Sequence, residues 1–140
     1  MNIQKVRGLA LDLNQTAPRS PRVALSEDFP AMAARVTDKC RAELAGVAGS
    51  YHYNCPLDRQ FFAATGLEAA PLREFIASGA EDAEVASWMS AHATSSRQQI
   101  IAWGRRMRRN PFLLLLEFDD WLHRRRNGHS GRSGKPERSD

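Results

Sequence analysis

Long hydrophobic runs are missing from this chain. The longest uninterrupted apolar stretch is Phe112 to Leu116. A membrane-spanning helix needs about 20 such residues, so none is expected. Met1 to Leu13 carry scattered charges where a signal peptide would have an apolar run. Only two cysteines, Cys40 and Cys55, occur among 140 residues. That excludes a disulfide framework and fits a reduced compartment, so a cytoplasmic protein is expected. A Gly-rich phosphate loop, a Gly-x-Ser-x-Gly elbow and a His-Glu-x-x-His pair are also absent. Each of those motifs would have pointed to a reaction class. Strand-like alternation and internal repeats are lacking too, and with them a β or solenoid architecture.

What is present is helical patterning. The length suits one domain, and the 42% apolar share is enough for a core. Residues 1–29 read as an irregular lead-in, because Pro18 and Pro21 favour extended backbone. A first long helix is expected from about Pro30 to Val47, with Met32, Val36, Cys40 and Leu44 as one apolar stripe. Asp38 with Arg41, and Lys39 with Glu43, have the spacing of surface ion pairs. Pro56 opens a second helix ending at Gly66, and Pro71 a third closed by Gly79. A fourth starts at Asp82, with Val85, Trp88, Met89 and His92 on one apolar face. Ser95 to Gln98 fits a capping box before a helix carrying Ile100, Trp103 and Met107. Asn110-Pro111 opens the last helix, whose apolar payload reads as Phe112, Leu115, Phe118, Trp121 and Leu122, with both Trp103 and Trp121 as core. From 128 to 140 the Gly, Ser and charged residues predict a disordered tail. The expected fold class is all-α, a compact bundle of about five to six helices in one domain, 1–127.

Charge is unevenly placed. Residues 1–104 hold 10 Lys+Arg and 11 Asp+Glu, whereas 105–140 hold 10 and 5. The basic C-terminal part offers Arg105, Arg106, Arg108, Arg109, Arg124, Arg125 and Arg126 to an acidic protein partner, or less readily to nucleic acid, for which no binding motif is present. The run Phe112 to Leu116 is wide enough to suggest a homodimer face.

The densest chemistry lies in Tyr51-His52-Tyr53-Asn54-Cys55-Pro56-Leu57-Asp58, at the connection between two helices, where function tends to sit. Four readings compete. Cys55 at a helix N-cap, with His52 nearby, is a candidate reactive thiol. His52-x-x-Cys55 is half of a metal site without a second ligand pair, so no metal is expected. Tyr51, Tyr53, Asn54 and Asp58, with Arg19 or Lys39 as the cation, could line a pocket for a small anionic ligand. A purely structural role for the turn is the fourth. The pocket is the leading functional reading, with His52 and Cys55 as its reactive groups. Neither a cofactor nor an enzymatic reaction can be named from these residues.

Several segments together resemble a family of small bacterial proteins classed as a domain of unknown function. They are Pro18-Arg19-Ser20-Pro21, Asp38-Lys39-Cys40-Arg41-Ala42, Tyr51 through Asp58, the Gly79…Asp82…Trp88 spacing and Ile100…Trp103. The resemblance spans roughly residues 14 to 104 and is most specific in the Tyr51–Asp58 segment. It implies a compact, mostly helical cytoplasmic domain and no particular activity.

Overall fold

The structure, a computed structural model, describes residues 1–29 and 31–138, the side chains of 127–138 excepted. Seven helices occur among the described residues, and no strand. They are α1 (Ile3–Leu9), α2 (Ala33–Leu44), α3 (Pro56–Thr65), α4 (Ala69–Ala77), α5 (Asp82–His92), α6 (Arg97–Arg109) and α7 (Phe112–Arg138). None of these helices is long and apolar enough to cross a membrane. The expected disordered tail, 128–140, lies outside the fully described residues.

The architecture is built around α2. Every residue from Ala33 to Ala42 is buried, the charged ones included. α1 and α4 pack against α2, α5 packs on α4, and α3 packs on α6. The irregular segment after α1 runs along α2, where the Met32 N–H donates to the Pro21 carbonyl (2.8 Å). Phe29, Val36, Cys40, Phe61, Leu72, Ile76, Val85, Met89 and Leu113 form the core. Phe61 is its aromatic hub, with ring centroids 6.3 Å from Phe29, 5.6 Å from Phe62 and 6.0 Å from Trp103.

Local signals set most helix ends. Pro56 occupies the first position of α3, where its missing N–H costs nothing. Gly66 ends that helix at φ +76°, and a Cβ there would sit 1.8 Å from Thr94 Oγ1. Ser96 and Gln99 cap α6 reciprocally, one residue later than the spacing predicted. α4 starts at Ala69, two residues before Pro71.

Four expectations are corrected. The lead-in is not irregular throughout: Ile3–Leu9 is helical, capped by the Asn2 side chain and anchored by fully buried Val6. α2 starts at Ala33 because Met32 takes φ +68°, which breaks the helix before it; Pro30 lies outside the described residues. The predicted apolar face of α7 is turned outward: Leu113 is buried, whereas Phe112, Leu115, Phe118 and Trp121 are exposed. His92 is exposed as well, stacked on Trp88 at 4.0 Å instead of entering the core.

Candidate functional site

The charges of α2 do not pair along its own surface. Each reaches a different part of the chain. Asp38 accepts from Arg19 through both carboxylate oxygens, and its Oδ2 also takes the Arg19 backbone N–H (2.8 Å). Arg41 donates to Asp82 at 2.8 Å and to the Ala80 carbonyl at 2.9 Å. Arg35 grips Asp120 of α7 with two guanidinium nitrogens, at 2.7 and 3.1 Å. Lys39 Nζ donates to Asp58 Oδ1 at 2.8 Å and to Cys55 Sγ at 3.2 Å. The expected surface pairs Asp38–Arg41 and Lys39–Glu43 are therefore corrected; Glu43 pairs with Arg73 instead (2.7 Å). Buried charges are tolerated only when paired and hydrogen-bonded. Here the pairing also fixes the irregular segment after α1, together with α3, α5 and α7, around one helix.

Arg35 and Lys39 lie one helical turn apart, so both project on the same side of α2. They form the inner part of a cavity of about 280 Å³. Ser50, Tyr51, His52 and Cys55 line it from the connection between α2 and α3, with Leu57 at the start of α3. Leu116, Asp119, His123 and Arg126 close it from α7. Asn54 takes φ +64°, and its N–H donates to Asp58 Oδ2 at 2.9 Å. That kink sets Cys55 at the N-cap of α3, beside Lys39. Tyr51 is clamped on three sides. Its hydroxyl donates to Asp120 (2.9 Å), the Arg35 guanidinium lies 5.7 Å from its ring, and His123 meets the ring edge-on at 5.0 Å. One His123 nitrogen, Nε2, lies 2.8 Å from the Leu13 carbonyl.

Of the site residues read from the sequence, Lys39, Tyr51, His52 and Cys55 line this cavity. Asp58 does not; fully buried, it holds Lys39 from behind. Asn54 supplies the kink. Tyr53 points the other way, toward Phe62 and the Ala69 carbonyl (2.6 Å). Arg19 belongs to a separate cleft with Asp38, Arg41 and Asp82. Arg35, Asp119, Asp120 and His123 were not read as site residues. The i,i+4 spacing of Arg35 and Lys39 was a usable signal for the first. The other three come from α7, far away in sequence. Arg105, Arg106, Arg108, Arg109, Arg124 and Arg125 are exposed and line no described cavity wall here, whereas Arg126 does. No group of three or more His, Cys, Asp or Glu side chains placed to hold a metal ion occurs among the described residues.

Burial pushes the Cys40 thiol up to about 12, so it stays protonated near neutral pH in the core. Both cysteines are free, and Cys55 is the one at the cavity. Burial also raises the Tyr51 hydroxyl, with neighbouring Asp120 adding to the effect, and Tyr51 serves as a donor. For Arg19, burial opposes the charge, but hydrogen bonds to Asp38 and Asp82 outweigh it and raise the value. For Asp82, burial works upward, yet hydrogen bonds from Arg19 and Arg41 bring its carboxyl below the ordinary range. A lowered carboxyl stabilises the fold above its unfolded value of about 4, and that contribution disappears as pH falls through the folded value. Asp82→Asn is accordingly expected to flatten the acid limb of a plot of melting temperature against pH. An acid limb of unchanged slope would contradict this reading of the Arg19–Asp82–Arg41 cluster.

Fold and site together define a small helical protein with a cation-lined cavity between its central and last helices. The chain belongs to a family described as a domain of unknown function, DUF5069, whose model matches residues 15–112. No curated protein matches the chain. The matched segment contains α2, the Tyr51–Asp58 connection and α3 to α6. The α7 residues that close the cavity, Leu116 to Arg126, lie beyond it.

Proposed function

We propose that the cavity between α2, the 50–57 connection and α7 binds a small anionic ligand. The reading rests on one observation. Hydrogen-bond donors from three separate elements converge on the same 280 Å³ space. Lys39 spends two of its three N–H groups on Asp58 and Cys55, which leaves one for a ligand oxygen. Arg126 and His52 stand exposed at the rim. Arg35 and Lys39 have their charge offset by Asp120 and Asp58, so the inner part recognises oxygens by directed donors more than by net charge. Asp119 lines the cavity as well, and its carboxylate orients a ligand by repelling one end of it. The volume lies near the lower end of ligand cavities, which suits a phosphate-sized or small carboxylate group and not a dinucleotide. His52 and Cys55 are the groups at this site able to react with a ligand; binding is the step the geometry supports. A bacterial, cytoplasmic setting belongs to this reading.

Titration of the full chain with inorganic phosphate, followed by amide chemical shifts, tests it. Shifts are expected at residues 50–57 and in α7. His52→Ala and Arg126→Ala should each weaken binding about tenfold, the scale of one hydrogen bond to a charged group. Both side chains are exposed, so the variants should fold. Equal affinity in both, or no shift at these residues with phosphate or a small dicarboxylate, would rule the reading out.

A second reading draws on exposed arginines. Arg105, Arg106, Arg108 and Arg109 end α6 in solvent, and Arg124 and Arg125 are exposed on α7. They suit an acidic protein surface, and nucleic acid less well. Such binding weakens steeply as salt rises, whereas phosphate in the partly enclosed cavity is screened less.

A further inference from the structure

We propose that the outer face of α7 is a homodimer face. Five large apolar side chains are exposed within ten positions of this helix: Phe112 (54%), Leu114 (61%), Leu115 (65%), Phe118 (57%) and Trp121 (44%). The opposite side of the same helix is already used. Leu113 is fully buried, Leu116 packs against the core and Asp120 holds Arg35. A helix that is apolar on both sides is normally covered on both sides.

The outer residues have interhelical spacing. Leu114, Phe118, Trp121 and Arg125 follow one another by four, three and four positions, and Leu115, Phe118 and Leu122 by three and four. That is the seam along which two helices pack side by side. Phe118 and Trp121 are stacked, with centroids 5.8 Å apart, and form a flat central plate. Arg125 lies over the outer part of it, 5.2 Å from the Trp121 ring.

A second copy is the occupant that fits. Carboxylates do not mark the face: Glu117 is held by Arg22 and Asp120 by Arg35, and Asp119 turns to the cavity. The central residues of the face, Leu114, Leu115, Phe118 and Trp121, carry no charge, so their complement is another apolar face, which a second copy supplies in a self-complementary contact. The area is adequate. Five side chains about half exposed amount to on the order of 600 Å² per copy. A symmetrical pair would then bury ~1,200 Å², the lower edge of stable interfaces.

The arginines give this pairing a signature. Each copy carries a net charge of +4, with Arg124, Arg125 and Arg126 directly after the stripe, so two copies repel each other as they pair. Salt screens that repulsion. Dimerisation is therefore expected to tighten as salt rises, opposite to the behaviour of an acidic partner or nucleic acid.

Sedimentation equilibrium of the full chain, over a wide concentration range at low and high salt, tests the proposal. The expected result is a monomer–dimer equilibrium that tightens with salt. Phe118→Glu and Leu115→Glu should each raise the dissociation constant at least tenfold while leaving the circular-dichroism melting curve of dilute protein unchanged. A monomer at every concentration would overturn the proposal. So would a dimer that both variants leave intact, or one that loosens with salt.

Discussion

Asp58→Ala should cost about 3–5 kcal/mol of folding stability, the scale on which a buried pair responds when one partner is removed. Asp58 is fully buried, and Lys39 is 3% exposed. Without the carboxylate, the Lys39 ammonium keeps only the Cys55 sulfur as partner, and the Asn54 N–H loses its acceptor. Domains of this size have about 5–15 kcal/mol in all, so the loss is a large share. Denaturant unfolding would read it as a lower midpoint at unchanged slope. Removing both charges with Lys39→Met and Asp58→Leu should be far milder, because replacing a buried pair by apolar groups of similar size is often nearly neutral. A single variant no less stable than the parent would show that the pair does not hold α3 to α2.

Asp120→Ala should be comparably severe, about 3–5 kcal/mol by the same reasoning, and it should also damage ligand binding. Its carboxylate serves Arg35 twice and the Tyr51 hydroxyl once. Arg35 and Asp120 are both 6% exposed at the side chain, so water replaces little of what is lost. Tyr51→Phe removes one hydrogen bond to a charged group and should cost about 1.5–3 kcal/mol. If Asp120 organises the cavity by docking α7, Asp120→Asn should weaken phosphate binding even though Asp120 does not line the cavity. A double-mutant cycle between Arg35 and Asp120 should return a coupling well above the additive limit. Additive losses would mean that the Arg35–Asp120 pair is not what docks α7.

The sequence was informative where the cause of structure is local. Pro56 and Gly66 bracket α3, and the Ser/Gln capping pattern marked α6 to within one residue. The Tyr51–Asp58 segment stood out by its chemical density, and four of its residues line the cavity. The misreadings have a common origin in tertiary context. Charges on a helix usually face solvent, so Arg35, Asp38, Lys39 and Arg41 gave no local hint of burial. Their partners are 85, 19, 19 and 41 residues away. On α7 the apolar residues are too many for periodicity to select a face. The side bearing Leu113 and Asp120 is inside because Asp120 meets Arg35, a contact invisible from α7 alone. α1 is short and buries one side chain, Val6, so it carries no periodic signal.

Native mass spectrometry of the untagged chain, purified without chelators and placed beside His52→Ala and Arg126→Ala, tests the anion-binding cavity most directly. A small anionic adduct on the parent chain, lost in both variants while their melting curves stay unchanged, is the predicted result. A parent chain that stays bare even after incubation with phosphate, or an adduct that survives in both variants, would contradict it.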